Sequence, residues 1–117
     1  IATSAIGRAY LAGTTDKERN AILKLAFDLD ETMADSVRAG IQRGQQDYRE
    51  YGCATSFGEW QPDVNGIAVT FRSGGAIPLH VLNCGGPSSG LSKEFLLAEV
   101  RPRLLVLARQ LEFSALS

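Results

Sequence analysis

The sequence predicts an α+β fold, in which an antiparallel sheet is flanked by helices. Apolar residues repeat at helical spacing through most of residues 4–51 and again near the C-terminus. Between these regions, apolar residues alternate along short segments that are separated by glycine-rich turns, which is typical of paired strands. The predicted order is therefore three helices, three antiparallel strands and a final helix.

Two short helices are predicted first. One runs from Ser4 to Ala12, with Thr3 or Ser4 as a hydroxyl cap and Gly13 as its C-terminal stop. The next begins at the capping-box sequence Thr15-Asp16-Lys17-Glu18, in which a hydroxyl and a carboxylate satisfy exposed amides reciprocally. Helical spacing places four apolar residues on one face of this second helix: Ile22, Leu25, Ala26 and Leu29.

A third, longer helix follows a break at Asp28-Leu29-Asp30. It is predicted from about Thr32 to Tyr51, and Gly52 ends it. Three apolar or aromatic residues lie on one side of it: Val37, Ile41 and Tyr48.

Two strands are predicted after Gly52. The first, Cys53–Phe57, is short. In the second, Ile67–Phe71, alternation places Ile67, Val69 and Phe71 on one face.

The third predicted strand, Ala76–Cys84, returns after a hairpin-turn signal at Ser73-Gly74-Gly75. Apolar side chains occur on both of its faces, which predicts a central position that is covered on both sides. Pro78 cannot donate to a strand ladder, so a bulge is expected there. One face carries Ile77, Leu79, Val81 and Asn83, and the other carries His80, Leu82 and Cys84.

The C-terminal region predicts a tight connection and a helix. The connection is the glycine-rich segment Gly85–Gly90, and the helix starts near Ser92 and restarts or kinks at Pro102. Three strands are few for this number of helices, so further strands are expected upstream of Ile1. The apolar stripe of the helix comprises Val100, Leu104, Leu107, Ala108 and Leu111.

Composition narrows the classes of function. The chain has 117 residues, of which 44% are hydrophobic and 21% charged, as in an ordinary globular domain. Twelve Lys and Arg against 13 Asp and Glu give a net charge of −1, so this segment is not expected to bind nucleic acid. No apolar run approaches the length of a membrane span, and two cysteines do not make a disulfide framework. A cytoplasmic location is expected.

The reactive residue types do not form a catalytic pattern. His80 and Cys84 share a strand face but lie about 13 Å apart at roughly 3.3 Å per residue, too far for a nucleophile pair. The Cys and His spacing does not suit a zinc site, and the Gly85–Gly90 segment lacks the Lys-Ser/Thr of a phosphate loop. We therefore expect neither an enzyme nor a cofactor or metal site. Five carboxylates are interpreted as helix caps or solvated faces: Asp28, Asp30, Glu31, Asp47 and Glu50.

Three stretches carry a family resemblance through their order and spacing. The first is Thr3–Ala12, with the sequence TSAIGRAYLA. The second is Tyr51–Ser56 (YGCATS), followed by Gly58-Glu59 and by Val64–Val69 (VNGIAV). The third is Leu82–Pro87, with the sequence LNCGGP. Together these stretches resemble the effector-binding domain of bacterial IclR-type transcription regulators.

The resemblance implies a GAF-like (profilin-like) sensor domain, with a curved antiparallel sheet and a small-molecule pocket on its concave side. Residues 1–117 would then be one partial effector-binding domain, without the strands that open it and without the winged helix-turn-helix domain of such regulators. DNA binding is expected of that other domain. The resemblance also implies a homodimer or homotetramer, with helix surfaces around Val37–Tyr48 or Leu104–Leu111 as interfaces.

Six residues match the positions that line the pocket in this family: Ala5, Ile6, Ser56, Gly66, Asn83 and Gly85. The first helix begins at Ala5 and Ile6, where unpaired amides favour a carboxylate. Some relatives carry an acidic group, a thiol and a hydroxyl at the positions of Ser56, Gly66 and Gly85, so a different effector is expected here. For Ala5, Gly66 and Gly85, close packing between helix and strand is an alternative explanation.

The segment Glu59–Asn65 contains the only tryptophan, Trp60. A lid that faces the ligand is one interpretation of this residue. A hydrophobic plug over the sheet edge, or a subunit contact, is the other.

The leading functional hypothesis is a sensor for a small organic acid or aromatic metabolite, which would control DNA binding by a separate domain. The first alternative is a GAF-like oligomerisation module that binds no ligand. The second is a thiol-dependent hydrolase, which would require a reactive Cys84.

Overall fold

The computed structural model describes residues 2–72 and 79–116, except for the side chains of residues 114–116. The described strands form one antiparallel sheet in the order β1-β2-β3, with helices on both faces, which confirms the predicted α+β class. The elements are α1 (Ala5–Gly13), α2 (Asp16–Leu29), α3 (Glu31–Tyr51), β1 (Ala54–Phe57), β2 (Val64–Arg72), β3 (Leu79–Pro87), α4 (Lys93–Phe95), a π-helical turn (Leu96–Val100) and α5 (Arg101–Leu116).

Local capping chemistry sets the starts of α1 and α2 and the end of α3 as predicted. The Ser4 hydroxyl accepts from the Gly7 amide at 3.0 Å and caps α1. Both bonds of the Thr15–Glu18 capping box are present at the start of α2. Gly52 ends α3 in the left-handed conformation, with φ of 74°.

Gly13 does not have the predicted role of a helix stop. It is the last residue of α1, and among the described glycines only Gly52 and Gly58 have positive φ. A Cβ atom at Gly13 would lie 2.8 Å from the Thr70 hydroxyl of β2. The residue is therefore small because α1 approaches the sheet closely there.

The predicted apolar face of α2 is only partly correct. Ala26 is buried, but Leu25 and Leu29 are 64% and 68% exposed, whereas Leu23 contributes to the buried side instead. The physical reason is that α2 is an outer helix, which packs mainly on α3 through a narrow stripe.

The third strand lies at the edge of the described sheet, where β2 and not β3 is central. Both faces of β3 are nonetheless covered, because Val81 packs towards α1 while Leu82 and Cys84 pack towards α5. The strand also continues to Pro87, so the predicted connection starts later than expected. The predicted hairpin turn at Ser73–Gly75, the bulge at Pro78 and the strand start at Ala76 lie outside the described residues.

The sheet separates two cores. On one face, Ile67 and Val69 of β2 pack with residues of α5 and the π-helical turn. The α-helical conformation resumes after that turn at Arg101, next to Pro102, which confirms the predicted restart. Only Leu104 and Ala108 of the predicted apolar stripe are buried, because no described element covers the other sides of that helix. The opposite face packs against α1 through small side chains: Ala5, Ala9, Ala54 and Ala68.

Within the described residues, no helix is both long enough and apolar enough to cross a lipid bilayer.

Candidate functional site

A cavity of about 550 Å³ opens where the N-terminus of α1 meets the sheet. Its volume lies in the range of small-molecule pockets, roughly 300–1,000 Å³. All six site residues predicted from the sequence line it, so the fold brings them together from α1 and all three strands. The described lining comprises Ser4, Ala5, Ile6, Ser56, Trp60, Val64, Asn65, Gly66, Asn83, Gly85, Gly86 and Pro87.

Two glycines face each other across the strand pair at the cavity. Gly66 of β2 pairs with Gly85 of β3. A Cβ atom built at Gly66 would lie 3.5 Å from the Gly85 Cα atom and 3.8 Å from the Ala5 Cβ atom, which is ordinary contact. A side chain at Gly66 would fit, but it would take up space beside Ala5. Ala5, Gly66 and Gly85 therefore pack closely together and also line the cavity.

Hydrogen-bond donors reach the cavity from the first turn of α1. The Gly7 amide donates to Ser4 and the Arg8 amide to the Ser4 carbonyl at 3.0 Å. The preceding amides, those of Ala5 and Ile6, have no partner within a helix, because the first turn lacks upstream carbonyls. With the positive end of the helix dipole, they favour an anionic or strongly accepting group.

The polar side chains of the lining differ in what they can offer. The Ser56 hydroxyl donates to the Thr3 carbonyl at 2.6 Å, so it can only accept from a ligand. The Asn65 amide donates to the Leu91 carbonyl at 2.9 Å. The side chain of Asn83 has no hydrogen-bond partner within the described part of the chain, and it is exposed. Asn83 is therefore the side chain that can donate freely to a bound molecule.

Trp60 belongs to the loop between β1 and β2 and is 55% exposed. This exposure contradicts a plug that is buried over the sheet edge. Trp60 lines the cavity, and with its exposed side chain the ligand-facing lid and the subunit contact both stay predictions.

Beside Trp60, Glu59 holds two arginines. Its carboxylate accepts from Arg8 of α1 at 3.0 and 3.2 Å, and from Arg43 of α3 at 2.6 and 3.0 Å. Partial burial raises the pKa of this carboxyl, but the bonds from Arg8 and Arg43 and from the Phe57 amide outweigh that and lower it to about 2. The Trp60 loop is thus tied by charge to two helices.

The same charged cluster closes the outer edge of β1. The buried Asp47 carboxylate accepts from the Thr55 amide at 2.9 Å and the Thr55 hydroxyl at 2.8 Å, while Arg8 donates to the Thr55 carbonyl at 2.9 Å. The prediction that Asp47 lies on a solvated face was therefore wrong. These bonds occupy backbone groups that an edge strand would otherwise offer to another chain.

The thiols and the histidine do not assemble a nucleophile. Burial raises the pKa of the Cys53 thiol to about 11, so it stays protonated at neutral pH. His80 stacks on Phe71, with ring centroids 5.2 Å apart, and Cys84 packs in the α5-side core. No group of three or more His, Cys, Asp or Glu side chains in residues 2–72 and 79–113 is placed to hold a metal ion.

A second, larger depression of about 690 Å³ lies along α5, beside Leu105, Arg109 and Phe113. Its described lining comes from that one helix, so polar groups from different elements do not converge there. The α1 cavity is therefore the stronger candidate site.

Sequence reasoning missed part of the lining. The sequence assigns Ser4 only to capping. It assigns Gly86 and Pro87 to a loop, because the predicted third strand ends at Cys84, whereas β3 continues to Pro87. Ser4 and Gly86 are each adjacent in the chain to a predicted site residue, and Pro87 is two positions from Gly85, so nearness in sequence is the signal that could have indicated them. The contact between Arg8 and Glu59 had no such signal, since 51 positions separate the two residues.

Several solved structures of transcriptional regulators are similar to this chain. An IclR-family transcriptional regulator from Brucella abortus is 35% identical over 97% of this chain, with a TM-score of 0.81. A transcriptional regulator from Rhodococcus sp. RHA1 is 22% identical over 97% of the chain, with a TM-score of 0.71. The inducer-binding domain of the PobR transcription factor from Acinetobacter, in complex with 3-hydroxybenzoic acid, is 17% identical over 94%, with a TM-score of 0.61.

The chain spans 43%, 47% and 63% of these three chains, respectively. No model of a protein family matches it, and no curated protein matches it either. The two more distant likenesses show the fold, which is the GAF-like α+β fold expected from the resemblance. The Brucella relative adds sequence identity over nearly the whole chain. The chain is similar to IclR-family transcriptional regulators, and it matches their effector-binding domain.

Proposed function

We propose that this chain senses a small metabolite and thereby controls DNA binding by a separate domain of the same regulator. The observation that carries the proposal is the α1 cavity, in which six residues from four elements converge with free hydrogen-bond donors. The relatives support it, because they are transcriptional regulators and one is an inducer-binding domain. Catalysis is not part of the proposal, since the described thiols have no adjacent base and the described lining of the cavity contains no carboxylate.

The effector is proposed to be a small organic acid or an aromatic compound. The α1 amides and the Asn83 amide are donors, which suit a carboxylate or hydroxyl oxygen. None of the described lining residues carries a charge, so the carboxylate would be held by dipoles and not by a salt bridge. The rest of the lining is mostly apolar, and it suits a hydrocarbon body.

Ligand binding would act by favouring one arrangement of subunits over another. It can shift that equilibrium only as far as the effector binds one arrangement better. A homodimer or homotetramer is part of this proposal. Exposed apolar side chains on α5, including Val106 at 57%, support an interface there. The measurement is the oligomeric mass by light scattering, with and without effector.

Thermal shifts of the full-length protein against a panel of aliphatic and aromatic carboxylates test the sensor function. The panel includes 3-hydroxybenzoate, because the PobR domain was solved with that acid. We expect a melting temperature that rises with concentration for part of the panel, and a loss of the rise in Asn83→Ala. Asn83 is exposed and unpaired among the described residues, so this variant tests binding with little effect on folding.

Ser56→Ala is a less clean variant, because it also removes the bond to the Thr3 carbonyl. Asn20→Ala, an exposed change on α2 away from the cavity, is the control and should keep the full rise. A flat response of the wild type across the whole panel would contradict the carboxylate-sensor proposal and favour the ligand-free oligomerisation module.

A further inference from the structure

The ring of Trp60 is the largest apolar side chain in the described lining of the cavity. The residue is 55% exposed, so much of its aromatic surface is accessible to solvent. Covering apolar surface is favourable in proportion to its area. A molecule that fills the cavity and reaches this ring would gain more from Trp60 than from any other single lining residue.

The loop that carries the ring is held in place. The Gly58 amide donates to the Val64 carbonyl, and the Val64 amide donates to the Gln61 carbonyl, both at 3.0 Å. Glu59 next to the ring accepts from Arg8 and Arg43, as described above. A wall that is already ordered loses little conformational freedom when a ligand binds, so its contacts appear as affinity.

We infer that Trp60 selects effectors that contain a flat, conjugated ring. The inference rests on the proposed sensor function and adds the class of ligand. An aromatic ring can stack against the indole with an attraction beyond the buried area, whereas a saturated ring of similar size gains the area alone. The described lining has no acidic side chain that would draw a cation to the indole instead.

Two probes isolate the effect: benzoate and cyclohexanecarboxylate, which share a carboxylate and a six-membered ring and differ in planarity. The dissociation constants of both are measured by titration calorimetry on the full-length protein. We expect Trp60→Leu to reduce the preference for benzoate over cyclohexanecarboxylate by about 3- to 10-fold, chiefly by weakening benzoate. Trp60→Phe, which restores an aromatic face, should recover most of the preference.

Phe27→Leu is the matched control, because Phe27 is 51% exposed on α2 and lies outside the cavity lining. It should leave the preference unchanged. If Trp60→Leu changes both probes equally or neither of them, the inference is wrong while the sensor function stands. An unchanged preference with an altered oligomeric mass assigns the ring to a subunit contact and likewise overturns the inference. If neither probe binds the wild type at millimolar concentration, the inference is overturned, whereas the sensor proposal is decided by the response to the whole carboxylate panel.

Discussion

The two faces of the sheet are built from side chains of different size. The α5 side is filled by Ile67, Val69 and Leu96, all buried between the sheet and the C-terminal helical segment. The α1 side carries mainly alanines, so α1 lies close to the strands along most of its length. Two residues before Ala68 in β2 stands Gly66, which pairs with Gly85 of β3, and the cavity opens at these two glycines.

This difference separates two uses of apolar surface. Large side chains on the α5 side maximise the area removed from water and therefore stability. Small side chains on the α1 side bring the helix terminus and the strand backbones within reach of a ligand. Substitutions on the two faces should consequently affect different properties.

The largest expected effect is on the α5 side. Ile67→Ala should lower the free energy of unfolding by about 2–5 kcal/mol, since Ile67 is fully buried and its removal leaves a cavity. Urea denaturation measures it. The same substitution at Ile6, which is 47% exposed at the α1 cavity, should lower it by less than about 1 kcal/mol. Equal losses for the two variants would refute the contrast between the faces.

The second-largest loss of stability is expected where α1 and α3 approach each other closely. A Cβ atom at Gly44 would lie 2.5 Å from the Arg8 carbonyl oxygen, so Gly44→Ala must displace one helix. We expect a loss of about 1–3 kcal/mol, despite the better helix propensity of alanine. Gln46→Ala, an exposed change on the same helix, should stay within about 0.5 kcal/mol of wild type. A gain in stability for Gly44→Ala would show that the helices are not in tight contact.

The charged cluster at the edge of β1 predicts a pH-dependent loss. Glu59→Gln should lower the free energy of unfolding by about 1–2 kcal/mol at neutral pH, a modest value because the carboxylate is partly exposed. The folded pKa is lowered to about 2 from 4.5, so the charge stabilises the fold above pH 4.5. That contribution is lost as the pH falls from about 4.5 to about 2. The free energies of unfolding of the wild type and of Glu59→Gln should therefore become equal near pH 2.

Urea denaturation at a series of pH values measures this convergence. Glu94→Gln is the control, because Glu94 is exposed and forms no ion pair with a described residue. A difference between wild type and Glu59→Gln that is constant from neutral pH to about pH 2 would show that the Glu59 charge does not stabilise the folded state.

The smallest effect on stability belongs to Gly66→Ala, at the cavity itself. The added methyl has room, so the free energy of unfolding should change by no more than about 0.5–1 kcal/mol. The same methyl narrows the cavity beside Ala5, and the affinity for a carboxylate that binds the wild type should fall about tenfold. Gly90→Ala, where a Cβ atom also has room but lies outside the cavity lining, should keep the affinity. An unchanged affinity in Gly66→Ala would place the effector elsewhere.

Features that depend on a few neighbouring residues were predictable. The Ser4 cap, the Thr15 capping box, the Gly52 stop and the helix restart beside Pro102 all follow from local backbone chemistry, and the structure confirms them. The six site residues were located through a family resemblance, and their convergence at one cavity agrees with it.

Other features depended on contacts between distant parts of the chain. Gly13 is small because Thr70 lies against it, and Leu25 is exposed because no described element covers that side of α2. Asp47 is buried because Thr55 and Arg43 satisfy its oxygens. Residue type and spacing do not specify which partner arrives at each position.

The sequence by itself determined the order of the elements, where most helices begin and end, and the family resemblance, because capping, periodicity and motif spacing are properties of short segments. Only the tertiary structure decided that Trp60 lines the cavity and that Glu59 ties its loop to two helices. It also decided that Ser56 has no proton left to donate to a ligand. The physical reason is that burial and hydrogen-bond satisfaction depend on the atoms that surround a group, and folding alone brings those atoms together.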